Sequence, residues 1–298
     1  MGVSIFSPAK VNLFLAVTGR RPDGYHDLVS VAAPLDFGDV LEVETRGESR
    51  EAKGAFSLEC DNPEVPVDGS NLILKAAQAF VAAAGWTGGA HFRLTKRVPL
   101  GAGLGGGSSN AVAALRALNK LSGGLLPAAK LAEVAATLGS DCAMFLQNAP
   151  VVMRGRGERL AVLPASAVAR WRGRRVLLFK PGFAISTPWA YDRMARGAPQ
   201  HYLPAPAAEA RLAAWLRGGV SAEELLFNNM EGVAFAKYLA LPVLLEKLRG
   251  EFGLVARMSG SGSACFAMLG DNFVTAPVVA RIRECWGPAA FVQEARLL

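Results

Sequence analysis

A glycine-rich segment, Leu100 to Leu115, carries the residues best suited to bind an anion. It reads LGAGLGGGSSNAVAAL, so five glycines and two serines lead directly into an apolar, alanine-rich stretch. Glycine lets successive backbone N–H groups curve around an anion, and a helix N-terminus adds unpaired N–H donors and a partial positive charge. The segment therefore predicts a phosphate-binding loop that opens a helix. Ser108 and Ser109 are expected to cap that helix or to bind phosphate and metal-bound water.

The residues on either side of the loop restrict the classes of nucleotide-binding fold to which it can belong. His91 to Val98 alternates side chains as a strand does, so the predicted order is strand, loop, helix. The loop fits G-x-G-x-x-G at Gly101, Gly103 and Gly106. A dinucleotide-binding fold, however, needs a second strand after the helix, ending in an acid. Pro127 instead opens another helical pattern, which argues against that fold.

Two further classes of nucleotide-binding protein also fit the loop poorly. The Walker A pattern matches Gly101 to Ser108, but Gly107 stands where its lysine belongs, so charge on a transferred phosphate must be met from elsewhere. The metal-binding triplet of protein kinases is spelled by Asp36 to Gly38, yet it precedes the loop and no catalytic-loop signature follows. We interpret that triplet as a turn. A glycine-rich turn without a ligand remains the alternative for the loop itself.

Two charged residues far from the loop are candidates for chemistry on an alcohol. The N-terminal alternation places Lys10 and Asn12 on one face of a strand. Asp141 follows Ser140 and precedes the apolar run Cys142 to Leu146, which predicts that it lies in the first turn of a helix, where the dipole favours its ionised form. Taken alone, Lys10 is more typical of a strand edge and Asp141 of a capping carboxylate.

Three motifs in this order resemble the GHMP family, the small-molecule kinases named for galactose, homoserine, mevalonate and phosphomevalonate. They are Pro8 to Leu13, the glycine loop and Met258 to Phe266, and they span nearly the whole chain. The resemblance implies an α+β fold of two domains with the active site in the cleft between them, ATP as phosphoryl donor and Mg²⁺. Arg20 to Leu28 and Gly139 to Cys142 resemble one branch in particular, which phosphorylates a cytidine-diphosphate-linked polyol on the non-mevalonate route to isoprenoids.

The resemblance also implies roles in phosphoryl transfer. Asp141 would orient the 2-position hydroxyl of the polyol and take its proton, while Lys10 polarises that hydroxyl and pairs with Asp141. Mg²⁺ would bridge the β- and γ-phosphates of ATP, with either Ser108 or Ser109 as a ligand. The implied phosphate-binding residues are Gly101, Gly103, Leu104, Gly105, Gly106, Gly107, Ser108 and Ser109.

The acceptor side follows from the same branch. Tyr25 and His26 follow a Pro-Asp-Gly turn that should expose them, and in the resembled kinases this pair stacks on cytosine and hydrogen-bonds its edge. Tyr191 matches a second aromatic face, where the family often has phenylalanine. Asn228 and Asn229 match a family stretch whose role stays open. The implied substrate-binding residues are Asn12, Tyr25, His26, Thr187, Tyr191, Gly260, Ser261 and Gly262.

Composition is consistent with a two-domain globular enzyme. Of 298 residues, 51% are hydrophobic, and we expect an N-terminal ATP-binding domain over 1–155 and a C-terminal domain over 156–298. Family architecture suggests that Phe291 to Leu298 return to the first domain. The chain has no apolar run of about 18 residues and no signal peptide, which predicts a cytoplasmic protein with no membrane partner.

Charge and cysteine usage exclude other classes. The formal charge of +7 lies in the second half, where Arg170 to Arg175 contributes much of it. Because that stretch enters an apolar strand, we interpret it as a solvated strand entrance and predict no nucleic-acid partner. The four cysteines lack paired spacing, so neither a disulfide framework nor a zinc site is indicated.

The elements that must position these residues can be predicted coarsely. A capping box is expected at Ser221 and Glu224. A pair of strands should flank the serine-glycine loop, and a last helix should start at Pro277. Strands are predicted at 3–7, 10–18, 28–33, 40–46, 91–98 and 175–180, and helices at 71–84, 108–121, 127–138, 141–147, 206–217, 221–239 and 242–250.

Two other functions stay open at this stage. A GHMP kinase of the homoserine or mevalonate type would keep Lys10 and the loops but would not need Tyr25 and His26. A non-catalytic ligand sensor on the same fold should have lost the acid or the phosphate loop, and both are intact. The sequence is compatible with a monomer or a homodimer.

Overall fold

The computed structural model describes residues 2–48 and 55–298. The strands are β1 Gly2–Arg20, β2 His26–Glu48, β3 Phe56–Cys60, β4 Gly88–Thr95, β5 Val151–Gly155, β6 Arg159–Val162, β7 Arg175–Lys180, β8 Phe227–Asn228, β9 Ala256–Met258, β10 Cys265–Leu269 and β11 Phe291–Arg296. The helices are α1 Leu72–Ala84, α2 Gly106–Leu121, α3 Ala128–Leu138, α4 Ala165–Ala169, α5 Thr187–Arg196, α6 Ala205–Leu216, α7 Ala222–Leu225, α8 Met230–Lys237, α9 Ala240–Phe252 and α10 Ala276–Trp286, with a 3₁₀ helix over Ala143–Leu146.

The described residues form two compact units, each discontinuous in sequence. The first comprises Met1–Ala9, Phe37–Val98 and Gly105–Asn148, and the second comprises Lys10–Asp36, Pro99–Leu104 and Ala149–Leu298. Strands β1 and β2 and the glycine loop each pass from one unit to the other along their length.

In the first unit, helices α1, α2 and α3 pack on one another beside a small sheet. Strand β4 pairs antiparallel with the second half of β2 and parallel with β3. Phe80 on α1 and Phe92 on β4 are fully buried. Asn71 caps α1 by accepting the N–H of Ile73 at 2.9 Å. The apolar stripes of the helices thus supply the core that holds the end of β4 and the start of α2.

In the second unit, β7 and β10 are the central strands of an antiparallel sheet whose order is β11-β7-β10-β9. The first half of β2 pairs with β5, and β5 pairs with β6. Trp171 and Trp215 lie fully buried with ring centroids 6.0 Å apart. After β11, Leu298 donates its N–H to the carbonyl of Pro34 at 3.0 Å.

Several predicted elements need correction. Strands 3–7 and 10–18 are one continuous strand, β1, and 28–33 and 40–46 both lie in β2, so Asp36 to Gly38 is extended and not a turn. A Cβ on Gly38 would collide with the carbonyl of Ser7, so glycine there permits the close approach of β1. Strands β3, β5 and β6 have no counterpart in the prediction.

The predicted helix over 221–239 is interrupted. The capping box at Ser221 and Glu224 is confirmed, but it opens only the short α7. Strand β8 then pairs in parallel with β1, and Asn229 bonds both backbone groups of Val17 at 2.9 Å. Because the Asn229 amide extends the β1 ladder, the chain leaves the helical path before α8 begins.

The basic stretch at the entrance to β7 is engaged within the fold. The Arg170 guanidinium donates to the carbonyl of Trp215 at 2.6 Å and also to that of Val220. Arg175 donates to the carbonyl of Asp271 at 2.8 Å and to the Glu294 carboxylate at 2.8 Å. Within the described ranges, no helix combines the length and apolarity needed to cross a bilayer.

Candidate active site

Strand β1 places two of the predicted residues side by side. The Lys10 ammonium donates to Asn12 Oδ1 at 2.6 Å, and the two residues are only 3% and 5% exposed. Asn12 Nδ2 donates to Ser30 Oγ at 2.9 Å, and that hydroxyl donates to the carbonyl of Phe14 at 2.7 Å. These bonds fix which way the Asn12 amide points. The prediction that Lys10 and Asn12 share one face of the strand is confirmed. Lys10 is buried, unlike a lysine at a strand edge.

The first half of the glycine loop, Gly101–Leu104, lies in the second unit and is joined to β1. The N–H of Lys10 donates to the carbonyl of Leu104 at 2.9 Å. Gly103 has a φ of +74°, and a Cβ there would collide with the carbonyl oxygen of Ser259. The Ser259 hydroxyl in turn donates to the carbonyl of Gly103 at 3.0 Å. Glycine is therefore required at 103 by both conformation and contact.

The serine-glycine loop, Met258–Ser263, joins β9 to β10 as predicted. The N–H of Asn12 donates to Ser259 Oγ at 3.3 Å. Thr187, the first residue of α5, shares a 2.7 Å hydroxyl–hydroxyl bond with Ser261. The loop therefore bonds both to the strand that carries Lys10 and to the N-terminus of α5, and its two contacts involve three of the predicted substrate-binding residues, Asn12, Thr187 and Ser261.

Gly260 lets this loop approach Asn12 on β1 by backbone alone, and Gly262 lets it turn back on its own Met258. Gly260 has a φ of +57°, and a Cβ on it would lie 3.4 Å from Asn12 Oδ1. Gly262 has a φ of +85°, and a Cβ on it would lie 2.6 Å from the sulfur of Met258. Within the second unit, the Lys10–Asn12 face, the first half of the glycine loop and the serine-glycine loop thus meet.

Asn228 and Glu231 hold the serine-glycine loop, a role that was open for Asn228 and not predicted for Glu231. The buried Asn228 amide donates to the carbonyls of Met258 and Gly260, both at 2.8 Å, and accepts the N–H of Met230 at 2.9 Å. Glu231 Oε1 accepts the N–H of Met258 at 2.8 Å, and burial raises the pKa of its carboxyl group. The pair of neighbouring amides, Asn228 and Asn229, inside the helix predicted over 221–239 was the only sequence signal.

The second half of the glycine loop lies in the first unit and begins α2. Gly105, with a φ of +72°, is the N-cap and has no side chain to offer, so the predicted capping by Ser108 or Ser109 is wrong. Ser109 accepts from the Ser7 hydroxyl at 2.9 Å, and Asn110 Nδ2 donates to the same hydroxyl at 2.8 Å. The N–H groups of a first helical turn have no partner inside the helix. The residues of this turn are Gly106, Gly107, Ser108 and Ser109.

The fully buried carboxylate of Asp39 holds the first turn of α2 in place. It accepts from the Lys96 ammonium at 2.7 Å, from Asn110 Nδ2 at 2.9 Å and from the N–H of Val98 at 2.8 Å. A Cβ on Gly106 would lie only 3.1 Å from Lys96 Nζ, so α2 starts directly against this ion pair. Sequence patterning gave no signal for the cluster, because its members come from three separate elements.

Asp141 belongs to the first unit and is half-buried, but it does not lie in a helix as predicted. Gly139 ends α3, and the N–H of Cys142 bonds its carbonyl at 3.1 Å, which makes a turn before the 3₁₀ helix Ala143–Leu146. A Cβ on Gly139 would lie 3.9 Å from Ser108 Oγ, and burial raises the pKa of the Cys142 thiol to about 11. The Asp141 turn is therefore tied to the first turn of α2.

The residues predicted to bind the acceptor base lie in the second unit. His26 is buried there, contrary to expectation, and Tyr202 joins the group. Tyr25 is 55% exposed as expected, with the Arg156 guanidinium 4.6 Å from its ring centroid. His26, expected to be exposed, is buried, and its ring lies 4.9 Å from that of Tyr191. His26 Nε2 lies 3.1 Å from the Tyr202 hydroxyl. Tyr202 carries no local sequence signal, because 176 positions separate it from its partner.

Two protein-family models and a group of named relatives match this chain. Residues 71–155 match the family described as the GHMP kinases N terminal domain, and residues 211–286 match that described as GHMP kinases C terminal. The 4-diphosphocytidyl-2-C-methyl-D-erythritol kinase of Methylacidiphilum infernorum (isolate V4) is 39% identical over 89% of this chain and 86% of its own length. The protein of that name from Synechococcus sp. (strain CC9902) is 37% identical over 91% and 88%.

Solved structures show the same fold over nearly the whole chain. A crystal structure of 4-(cytidine 5'-diphospho)-2C-methyl-D-erythritol kinase has a TM-score of 0.75 and 34% identity, with 99% of each chain covered. Homoserine kinase from Cytophaga hutchinsonii ATCC 33406 has a TM-score of 0.73 over 99% of this chain and 95% of its own, but at 17% identity it indicates the fold alone. The predicted α+β GHMP fold is confirmed. The chain therefore belongs to the 4-diphosphocytidyl-2-C-methyl-D-erythritol kinases, a branch of the GHMP kinases, and is an ATP-dependent kinase.

Proposed function

We propose that this chain transfers the γ-phosphoryl group of ATP to the 2-position hydroxyl of 4-diphosphocytidyl-2-C-methyl-D-erythritol, on the non-mevalonate route to isoprenoid precursors. The observation that carries this proposal is the aromatic group Tyr25, His26 and Tyr191 on the unit that also holds Lys10 and Asn12. A kinase for mevalonate or homoserine has no base to stack and no need of that group. The named relatives supply the same substrate class independently.

Phosphoryl transfer to an alcohol needs a proton acceptor, cations near the moving charge and a cradle for the donor phosphates. In our proposal Asp141 aligns the hydroxyl and takes its proton, and Lys10 polarises the same oxygen. The burial of Lys10 and its bond to Asn12 support this role, because a fixed ammonium needs little reorganisation during the reaction. The closeness of Gly139 to the Ser108 hydroxyl supports a position of Asp141 beside the phosphate loop.

The phosphate cradle would be the glycine loop, whose two halves have complementary tasks. Gly101, Gly103 and Leu104 shape the turn, and the first turn of α2 supplies backbone N–H groups and the positive end of its dipole. Mg²⁺, when bound with ATP, would neutralise charge on the β- and γ-phosphates. Ser108 is the better candidate to reach it, since the Ser109 hydroxyl is buried against Ser7.

The test is an acceptor panel. Purified wild-type protein is given ATP and one of three acceptors, namely 4-diphosphocytidyl-2-C-methyl-D-erythritol, mevalonate or homoserine, and the release of ADP and the phosphorylated product are measured. We expect turnover with the first acceptor alone. Turnover only with mevalonate or homoserine would contradict the proposed substrate, and no turnover with any of the three would favour a ligand sensor.

A further inference from the structure

Lys180 is a buried charge that has no task in the proposed mechanism. It is the last residue of β7 and is only 8% exposed. Its Nζ donates to the carbonyl of Pro181 and to the carbonyl of Phe183, both at 3.0 Å. Burial of an ammonium group is costly unless hydrogen bonds replace its water. These two bonds fix the Lys180 ammonium against the turn that follows its own strand.

The Phe183 carbonyl joins this ammonium to the serine-glycine loop. The same oxygen accepts a hydrogen bond from the hydroxyl of Ser263, a residue that is 0% exposed. A carbonyl oxygen has two lone pairs, so it can accept both bonds. Ser263 is the last residue of the loop, and Asn228 holds the carbonyl of its first residue, Met258. Different parts of the second unit therefore hold the two ends of the loop.

The turn after β7 also contacts the glycine loop and leads into α5. A Cβ on Gly101 would lie 3.0 Å from the Cβ of Ala184. Three residues further on, Thr187 begins α5 and shares its hydroxyl–hydroxyl bond with Ser261. The turn therefore touches the glycine loop and, through Thr187, the serine-glycine loop. A group that fixes the turn also fixes the spacing of these two loops within the second unit.

We propose that Lys180 is a positioning residue for phosphoryl transfer, which acts through the Phe183 carbonyl on Ser263 and thereby holds the serine-glycine loop against Thr187. A charged donor makes a stronger hydrogen bond than a neutral one, so the ammonium is suited to fix a carbonyl that must also hold Ser263. Small displacements of groups that orient a substrate slow its reaction strongly. The inference rests on the proposed function, because that function has the acceptor bound at this loop.

The test measures the rate constant of phosphoryl transfer in a single turnover, with the protein in excess over 4-diphosphocytidyl-2-C-methyl-D-erythritol and ATP saturating. This rate constant does not depend on the fraction of active protein, so a variant that only folds less well leaves it unchanged. Lys180→Met keeps the length of the side chain but removes the charge and both bonds. We expect it to slow transfer by about 10- to 100-fold.

Two further measurements accompany this variant. The steady-state KM for the acceptor should stay within about threefold, because Lys180→Met leaves Tyr25 and His26 intact and so affects alignment more than binding. Lys247→Met is the matched control, since Lys247 lies exposed on α9. It should transfer the phosphoryl group at the wild-type rate. Equal slowing in both lysine variants would overturn the inference.

A second variant tests the route through Phe183. Ser263→Ala removes the hydroxyl that shares the Phe183 carbonyl with Lys180. We expect it to slow transfer by about 3- to 10-fold, the usual contribution of one neutral hydrogen bond. Because both side chains act on one carbonyl, the double variant should be within about twofold of Lys180→Met alone. Slowing by the product of the two single effects would overturn the proposed route.

The outcomes separate this inference from the proposed function. A folded Lys180→Met variant with the wild-type rate constant would overturn the inference and leave the proposed function standing. A wild type that phosphorylates no acceptor of the panel would overturn both. If Lys180→Met fails to fold, Ser263→Ala decides, and a wild-type rate constant in that variant would overturn the inference.

Discussion

The side-chain amide of Asn228 donates to the backbone carbonyl of Gly260, 32 positions further along the chain, at 2.8 Å. The same amide holds the carbonyl of Met258, and Glu231 holds the N–H of Met258. One short segment thus fixes the strand end from which the serine-glycine loop departs. These three hydrogen bonds, as well as the glycines of the loop, therefore set the position of the serine-glycine loop.

Replacing Asn228 by aspartate should damage both stability and activity. The carboxylate would keep the acceptor for the Met230 N–H but face two carbonyl oxygens without a proton to donate. An unsatisfied buried polar group costs about 1–3 kcal/mol, so urea unfolding should show a loss of that size. We also expect kcat/KM for the acceptor to fall by about 10-fold or more, since the loop that carries Ser261 shifts.

Asn148→Asp is the matched control for this variant. Asn148 is exposed and only accepts from Arg116, a bond that a carboxylate preserves. It should retain wild-type stability and activity. Equal behaviour of the two variants would show that the Asn228 amide does not hold the loop.

Removal of the Lys96 charge should destabilise the first unit strongly. Lys96→Met leaves the Asp39 carboxylate, whose side chain is 0% exposed, without its cation. Breaking one partner of a buried ion pair costs about 3–5 kcal/mol of unfolding free energy. Lys130→Met, which removes an exposed pair with Glu133, should cost no more than about 0.5 kcal/mol. Urea titration measures both, and a small loss in Lys96→Met would contradict the buried pairing.

The stability of the chain should decrease in mild acid partly through His26. Burial and Arg20 lower the pKa of His26 below the ordinary histidine value of 6.5, so the unfolded state binds the proton more readily than the folded state. The stabilisation from the neutral ring is complete above pH 6.5 and is lost as the pH falls towards the lower, folded-state pKa. His26→Gln should therefore lose less stability than the wild type between pH 7.5 and 5.5. Parallel curves for wild type and His26→Gln would be inconsistent with this account.

Replacement of Tyr25 should weaken binding of the cytidine acceptor and leave binding of ATP unchanged. Its exposed ring, supported by the Arg156 guanidinium, is the predicted stacking surface for the base. Base–aromatic stacking contributes about 1–3 kcal/mol, so Tyr25→Ala should raise KM for the cytidine acceptor by about 5-fold or more. KM for ATP should stay within about twofold. Tyr25→Phe serves as the control that preserves stacking, and equal changes in both KM values would argue against the stacking role.

The sequence predicted those features that depend on near neighbours. Alternation alone placed Lys10 and Asn12 on one face, and glycines next to an alanine-rich run marked the start of α2. Tyr202 and Asp39 could not be predicted from the sequence, because their hydrogen-bond partners lie 176 and 57 positions away. The single helix predicted over 221–239 was wrong because the Asn229 side chain completes the β1 ladder. This contact is long-range, so local hydrophobic periodicity cannot reveal it.

The most direct test of the mechanism is the turnover number of Asp141→Asn on 4-diphosphocytidyl-2-C-methyl-D-erythritol at saturating ATP. Asparagine keeps the shape of the side chain but cannot accept a proton, so kcat should fall by about 10²- to 10⁴-fold, the usual contribution of a general base. KM for ATP should be little changed, and Asp192→Asn, which only breaks an exposed pair with Arg196, should match the wild type. Near-wild-type kcat in Asp141→Asn would contradict the account.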